Sequence, residues 1–305
     1  MLVECVPNFS EGRDAARVAA LEAAISSVTG SHVLHRTSDA DHNRSVITFA
    51  GEAEAVLESA VRATARAAEI IDLNAHRGVH PRLGALDVLP FVPLGDTTLD
   101  ECVALAHRAG ERIWRELHIP VYFYQAAARQ PHRTLLEKVR HGQFEGLREL
   151  ALTDETKRPD LGGPALHPTA GAVIVGARPI LIAYNINLAT ADLSIAKAIA
   201  RAIRTSNGGL PCVKALGLPL ESRRQVQVSM NLTDFNITPP HVVFAEVSRL
   251  AAAAGVAVAE SELIGLMPRK AVEMGFADAL KFPEFSSNSV IENCLANYAK
   301  PNSIS

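Results

Sequence analysis

The side chains best suited to chemistry lie close together in one short segment. Residues 76–82 contain two histidines and two arginines: His76, Arg77, His80 and Arg82. A histidine with a pKa near neutrality can take up and release a proton, and an arginine binds carboxylates through paired hydrogen bonds. The segment therefore predicts an acid–base site for an anionic substrate. A polar turn whose histidines and arginines bond to nearby carbonyls explains the same residues equally well.

The two histidines also have the four-residue spacing of a zinc-binding helix. However, Gly78 lowers helix stability, and Pro81 disfavours a helical backbone at His80. Arg77 follows His76, where the helix of a zinc protease would have a glutamate. An irregular loop without a metal ion is therefore favoured over a zinc site.

A second polar segment precedes an apolar strand pattern and has five candidate side chains: Asp39, Asp41, His42, Asn43 and Arg44. These side chains either line a site or form a solvated hairpin turn between two paired strands, and the turn is the favoured interpretation. Asn185 and Asn187 alternate along a strand, so both amides face one side. They either bind a ligand or satisfy a neighbouring loop.

The stretch 158–179 contains four prolines and four glycines and predicts a loop, with a strand around 172–175. A long loop in a compact protein is often functional, but an interdomain linker fits the composition as well. His167 within it and His241 are isolated histidines, for which a structural or surface role is favoured.

The elements that must position these residues alternate regularly along the chain. Apolar periodicity predicts helices over 13–28, 52–70, 98–117, 190–204 and 240–254, with Ser10 as a cap upstream of the first and a capping box from Thr98 to Glu101. Strands are predicted over 2–6, 32–36, 45–50, 87–92, 120–124, 180–187, 212–217, 225–232 and 256–263. This order predicts an α+β fold with a split βαβ, ferredoxin-like subdomain in each half.

Composition restricts the classes of function. The 305 residues are 48% hydrophobic and 21% charged, typical of a globular protein of one or two domains. A net charge of −3 argues against a broad nucleic-acid-binding surface. The four cysteines form no C-x-x-C motif, and the start of the chain has no secretory pattern, so we expect a cytoplasmic protein without a membrane span.

Several longer strings make a resemblance to a known family visible. They are VECVPNFSEGRD (3–14), DHNRSVITFAG (41–51), HRGVHPRLGALDVLPFVPL (76–94), GARPILIAYNINL (176–188) and ELIGLMP (262–268). In this order the chain resembles glutamate formimidoyltransferase. The resemblance implies two ferredoxin-like subdomains, 1–177 and 178–305, and a homodimer. Animal relatives carry a cyclodeaminase domain as well, and this chain resembles a monofunctional form.

The resemblance also implies a reaction and its residues. A formimidoyl group moves between N-formimidoyl-L-glutamate and tetrahydrofolate, which is a co-substrate, in histidine degradation; no metal is required. The histidine of the H-P-R string, His80, is the implied acid–base catalyst. The folate-binding stretch aligns on Gly162, Gly163, Pro164, Ala165, Leu166, His167, Pro168, Thr169, Ala170 and Gly171. The surrounding shell is predicted to include Asn43, Arg44, His76, Arg82, Asn185 and Asn187.

Two positions depart from the family pattern. Val79 precedes the catalytic histidine where the family usually has a glutamate, and Thr37 stands where it usually has an aspartate. A carboxylate would favour a positively charged formimidoyl group, whereas a valine better tolerates a neutral formyl or other acyl group. Two alternatives follow from these substitutions: a folate-binding protein without transferase activity, and a formyl or acyl transferase with an altered acceptor.

Overall fold

The computed structural model describes residues 1–274, 280–283 and 285–299. The chain divides into two compact units, the first comprising Met1–Arg178 and the second beginning at Pro179. Each unit combines one β-sheet with α-helices, so the predicted α+β class is confirmed.

The first unit is built on a seven-stranded sheet. Its strands are β1 (Leu2–Cys5), β2 (Asn8–Phe9), β3 (Ser31–Asp39), β4 (Arg44–Glu52), β5 (Leu86–Pro93), β6 (Val121–Gln125) and β7 (Val173–Ala177). Strands β1 and β2 both lie between β4 and β5, as two parts of one interrupted strand. The sheet order is therefore β3, β4, β1 with β2, β5, β7 and β6. Only the β5–β7 and β6–β7 pairs are parallel.

Helices cover the first sheet and bury its apolar residues. They are α1 (Ala15–Ser26), α2 (Ala53–Ile70), α3 (Leu99–Leu117), α4 (Leu136–Val139) and α5 (Gln143–Thr153). Leu21 of α1 and Val56 of α2 are fully buried in the same core as Phe49 of the sheet. The capping box predicted from Thr98 to Glu101 is confirmed at the start of α3. The Ser10 cap was wrong, because Asp14 accepts the first free amides of α1 while Ser10 bonds to the carbonyl of Gly84.

One end of this sheet collects the segments that sequence analysis selected. Strand β2 ends there, and β4, β5 and β7 begin there, as the pairing of Phe9 with Ser45 and Leu86 shows. The β3–β4 turn, the segment leading into β5 and the loop leading into β7 therefore meet. Gly84 and Gly171 form a bridge between the latter two segments.

The second unit has a four-stranded antiparallel sheet in the order β11, β8, β10, β9. Its strands are β8 (Ile182–Leu188), β9 (Val213–Leu220), β10 (Gln225–Leu232) and β11 (Val258–Ile264). In its described part, the helices are α6 (Leu193–Ile203), α7 (Pro240–Ala253), α8 (Arg269–Glu273) and α9 (Ile291–Ala299). Tyr184 and Ile186 of β8 are fully buried in a core that also contains Ile199 of α6 and Val243 of α7.

The predicted helices and strands agree with the structure to within a few residues at their ends. Sequence analysis did not predict α4 and α5, whose segment includes Gly142 and Gly146, or the short helices α8 and α9. Among the described residues, no helix combines the length and apolar character that crossing a bilayer requires.

Candidate active site

His80 lies in the irregular segment between α2 and β5, and its imidazole has a defined tautomer. Its Nδ1 is 2.8 Å from the carbonyl oxygen of Pro81. Because a carbonyl only accepts hydrogen bonds, Nδ1 carries the hydrogen, and Nε2 keeps its lone pair in the neutral ring. The predicted non-helical backbone of this segment is confirmed. The geometry leaves one nitrogen of a half-buried histidine able to accept a proton.

The β3–β4 turn brings a second histidine next to the first. The ring of His42 lies edge-on to that of His80, with 6.1 Å between the ring centroids. His42 Nδ1 is 2.9 Å from a carboxylate oxygen of Asp39, whose other oxygen accepts from the backbone amide of His42. Burial raises the pKa of Asp39, but these hydrogen bonds outweigh it and the net shift is downward. Asp39 therefore stays ionised and holds the His42 ring.

Two arginines make the surroundings of His80 strongly positive. Burial lowers the pKa of His80 well below its usual value, and the charges of Arg44 and Arg140 lower it further. Burial, followed by repulsion from Arg140, also lowers the pKa of Arg44 to about 10. The Nε atoms of both arginines are buried and have no hydrogen-bond partner among the described residues. His80 is therefore neutral at pH 7, which is the state that a general base needs.

Arg140 was not found by sequence analysis. Its Nη2 atom is 2.5 Å from Asp87 Oδ2, and both side chains are almost fully buried. The other oxygen of Asp87 accepts from the amides of Leu83 and Gly84, at 2.7 and 3.4 Å, just after the H-P-R string. The one signal in the sequence is Asp87 itself, because a carboxylate within an apolar strand pattern requires a buried cation.

Asn43, His76 and Arg82, three of the predicted shell residues, form a connected network. Arg82 Nε donates to His76 Nδ1 at 3.1 Å, and His76 Nε2 lies 2.9 Å from the carbonyl oxygen of Asn43. Asn43 adopts a left-handed backbone with φ 47°, and its side chain bonds to Gly12 and Arg77. Burial lowers the pKa of His76, so its neutral form suits this double role. The network fixes the β3–β4 turn against the segment of His80.

The space directly beside His80 is small. A cavity of about 10 Å³ is lined by side chains from β2, the β3–β4 turn and the start of β5, among them Asn8, Arg44 and Asp87. Arg44 Nη2 donates to Asn8 Oδ1 across it. This volume holds about one water molecule. A large substrate must therefore approach His80 from outside this cavity.

The Gly/Pro loop contributes unequally to this region. His167 and Gly171 bond to each other through both backbone amides, and His167 Nδ1 accepts from the amide of Ala170. The amide of Ala85 bonds to Ala170, and that of Leu73 bonds to Thr169, so residues 167–171 pack against both ends of the His80 segment. The His167 side chain thus holds the turn.

The first part of the loop has different neighbours. A Cβ on Gly162 would lie 2.6 Å from the ring of Trp114, and Gly162 and Gly163 both have positive φ. Residues 163–165 are exposed. This part of the loop therefore presents backbone atoms at the surface beside α3.

Asn185 and Asn187 lie on β8 in the second unit. Asn187 donates to Glu260 at 3.0 Å and accepts from Gln227 at the same distance, and Asn185 donates to Glu262. Both amides are buried. Sequence analysis expected these amides either to bind a ligand or to satisfy a neighbouring loop. Their contacts among the described residues are with side chains of the strands β10 and β11.

Among the described residues, no group of three or more His, Cys, Asp or Glu side chains is placed to hold a metal ion. Three of the cysteines, Cys5, Cys102 and Cys294, are buried thiols, and Cys212 is partly exposed.

The sequence was then compared with known proteins. Residues 2–178 match the family described as the N-terminal subdomain of the formiminotransferase domain, and residues 183–282 match the formiminotransferase domain. A protein of Thermoplasma acidophilum named glutamate formimidoyltransferase is 46% identical, with 95% of this chain and 96% of that protein aligned. One of Streptococcus pyogenes with the same name is also 46% identical, over 89% and 90%.

A longer relative aligns only in part. The formimidoyltransferase-cyclodeaminase of Gallus gallus is 46% identical over 89% of this chain, but over only 51% of its own length. The family matches extend over more than half of the chain, and two relatives align over nearly their full length. The chain therefore belongs to the formiminotransferase family.

Proposed function

We propose that this chain transfers a formimidoyl group between N-formimidoyl-L-glutamate and tetrahydrofolate, with His80 as the acid–base catalyst. The observation that carries the proposal is the state of His80. Its Nδ1 is committed to the Pro81 carbonyl, and the pKa of its ring is lowered by burial, Arg44 and Arg140. A neutral imidazole with one free nitrogen suits a reaction that must take a proton from one amine and give it to another.

The proton transfers follow from this arrangement. The amine of tetrahydrofolate attacks the formimidoyl carbon and forms a tetrahedral intermediate. His80 Nε2 takes the proton from the attacking amine, and the ring becomes a cation. The same Nε2 then protonates the glutamate nitrogen as its bond to carbon breaks, which returns His80 to the neutral form. Because Arg44 and Arg140 disfavour the cation, the second proton transfer is favourable.

Three groups of residues are proposed to bind the two substrates. The loop Gly162–Gly171 is proposed to contact the folate through its backbone, since Gly162, Gly163 and Gly171 all have positive φ and no side chain. Asn43, Arg44, His76 and Arg82 are proposed to shape the site, through the network described above. Asn185 and Asn187 of the second unit are also proposed to contact substrate, with their amides positioned by neighbouring acids. Tetrahydrofolate is a co-substrate in this scheme, and no metal ion takes part.

We infer that both units are ferredoxin-like and correspond to subdomains 1–177 and 178–305. In the second unit, the order β8, α6, β9, β10, α7, β11 with antiparallel neighbours β11, β8, β10, β9 supports this inference. In the first unit, β5, β1 with β2, β4 and β3 are neighbours in the corresponding order, which supports the same inference. Strands β7 and β6 extend this sheet beyond β5. The homodimer and the cytoplasmic location stay predictions.

The decisive experiment replaces His80. We expect His80→Ala to abolish transfer while binding of 5-formyltetrahydrofolate is kept, because His80 moves protons and does not anchor the pterin. His132→Ala removes an exposed histidine and serves as the matched control. Turnover in His80→Ala equal to that of the control would refute the catalytic role.

A second candidate function follows from Val79. This side chain is 41% exposed beside His80, at a position where the family usually has an acid. Without that carboxylate, a neutral formyl or acetyl donor is favoured relative to a cationic formimidoyl donor. A comparison of kcat/KM for formimidoyl-, formyl- and acetyl-glutamate with tetrahydrofolate separates these reactions. Folate binding without turnover on any of the three donors would identify a binding protein instead.

A further inference from the structure

A second and much larger cavity lies next to the site of His80. Its volume is about 340 Å³, and it is lined by residues before β5 and by one side of α5. His76 and Arg82 line both this cavity and the small one beside His80. We refer to it as the α5 cavity. It has room for a ligand the size of an amino acid, whereas the small cavity does not.

The charges around the α5 cavity are mostly positive. Arg77, Arg82 and Arg148 line it together with one acid, Glu145, which leaves an excess of two positive charges. Arg77 Nη1 bonds to the carbonyl oxygens of Asn74 and His76, at 3.0 and 2.7 Å. Arg148 Nη1 bonds to the side-chain oxygen of Asn74 at 3.3 Å. In the described part of the chain, neither Arg77 nor Arg148 forms a hydrogen bond or an ion pair with a carboxylate.

Arg82 already holds a carboxylate in this cavity. Its Nη1 and Nη2 atoms donate to the two oxygens of Glu145, at 2.9 and 2.6 Å. The Arg82 side chain is 10% exposed and that of Glu145 is 57% exposed, so the cation is fixed and the acid is at the surface. The hydrogen bonds from Arg82 lower the pKa of Glu145 to about 2. A buried arginine held in this way can exchange one carboxylate for another with the same paired geometry.

We propose that the α5 cavity is a binding site for a glutamyl group, whose carboxylates bind Arg82, Arg77 and Arg148 and displace Glu145. The inference rests on the proposed function, in which both substrates carry a glutamyl group. With Glu145 displaced, three arginines face the ligand, and its two carboxylates neutralise two of their three charges. The ligand is either the glutamate of the donor and product or the glutamyl end of the folate.

The site is connected to His80 through the residues that line both cavities. Arg82 donates to His76, which bonds to Asn43 in the turn that carries His42. A carboxylate that replaces Glu145 therefore contacts the first member of this chain. Glu145 is on α5, so its release also frees one contact between this helix and the His80 segment.

Binding of L-glutamate, measured by isothermal titration calorimetry on the full chain, tests the proposal. The double variant Arg77→Gln with Arg148→Gln should weaken binding at least 10-fold, since two charge-assisted contacts are lost. Arg115→Gln, an exposed arginine on α3, is the matched control and should change it less than 2-fold. Glu145→Gln should strengthen glutamate binding several-fold, because an amide competes with the ligand for Arg82 less well than a carboxylate does. Glu149→Gln, on the same helix, is the control and should leave binding unchanged.

Each outcome decides one part of the proposal. No glutamate binding to the wild-type chain, or an unchanged Kd in the double variant, overturns the site. An unchanged Kd in Glu145→Gln overturns the displacement. Both arginines are exposed, so their substitution leaves the fold intact, which circular dichroism verifies.

Two further ligands identify the source of the glutamyl group. If the folate occupies the cavity, the double variant weakens binding of 5-formyltetrahydrofolate but not of 5-formyltetrahydropteroate, which lacks the glutamyl end. If the donor occupies it, only binding of glutamate is weakened. These are binding measurements, so a wild-type chain that binds glutamate at the cavity but has no turnover contradicts the proposed function alone.

Discussion

Gly78 offers a direct test of how closely the β3–β4 turn and the His80 segment must approach. A Cβ at Gly78 would lie 2.3 Å from the carbonyl oxygen of His42 and 2.9 Å from Asn43 Cβ. Ordinary contacts begin at 3.4 Å, so Gly78→Ala must separate the two segments by about 1.1 Å. The obstacle is backbone, which cannot rotate away as a flexible side chain would.

Both stability and activity should respond to this separation. Overpacking of this kind lowers the free energy of unfolding by about 1–3 kcal/mol. For a unit of this size, that lowers Tm by roughly 2–4 °C per kcal/mol. Because the His42 ring lies 6.1 Å from that of His80, a shift of about 1 Å misplaces the proposed catalytic base, and we expect kcat/KM to fall roughly 100-fold.

Gly146→Ala is the matched control for Gly78→Ala. Gly146 lies within α5, has no atom within 4 Å of an added Cβ and does not have positive φ. There an alanine should raise the free energy of unfolding by about 0.5–1 kcal/mol. Urea denaturation and steady-state kinetics measure both effects. If Gly78→Ala is as stable and as active as Gly146→Ala, the close approach is not required and the reasoning is wrong.

Three further predictions concern the charges of the site. Arg140→Gln removes a positive charge that lowers the pKa of His80, so the pKa of His80 should rise. The acid limb of the kcat/KM–pH profile should then move to higher pH, and an unshifted limb would show that Arg140 does not act on His80. Asp87→Asn leaves Arg140 buried without a counter-charge and should lower the free energy of unfolding by about 3–5 kcal/mol, measured by urea denaturation, whereas the exposed Asp96→Asn should have little effect. Val79→Glu restores an acid at an exposed position and should raise the ratio of kcat/KM for formimidoyl over formyl donors about 2- to 5-fold; a lower ratio would contradict the charge argument.

Much of the fold could be predicted because its elements are locally encoded. The spacing of Leu21 and Ile25 specifies the buried face of α1, and the Thr98–Glu101 pair specifies the start of α3. The start of α1 was misplaced because Ser10 and Asp14 are both good caps by residue type. A long-range bond from Ser10 to Gly84 decides between them, and local spacing contains no information about it.

The site was predictable only where its residues are close in sequence. His76, His80 and Arg82 were selected as one group because they share a segment. Arg140 is 53 residues from Asp87, and Glu145 is 63 residues from Arg82, so no spacing rule connects them. A buried charge must be paired, and this rule predicts that Asp87 and Arg82 each have a partner of opposite charge. The rule does not predict where in the sequence that partner lies.

The segment 35–44 shows how one polar turn can be compatible with both of the interpretations that its sequence allows. It is a hairpin turn, as favoured from the sequence, since Asp39 pairs with Arg44 across it. The turn also places His42 against His80 and Arg44 against Asn8. Its left-handed residue, Asn43, uses its side chain and its carbonyl to hold Gly12, Arg77 and His76. A tight turn must satisfy its own polar groups, and this makes it rigid. A rigid turn can orient a neighbouring base, so the same residues suit both the structural role and the proposed functional one.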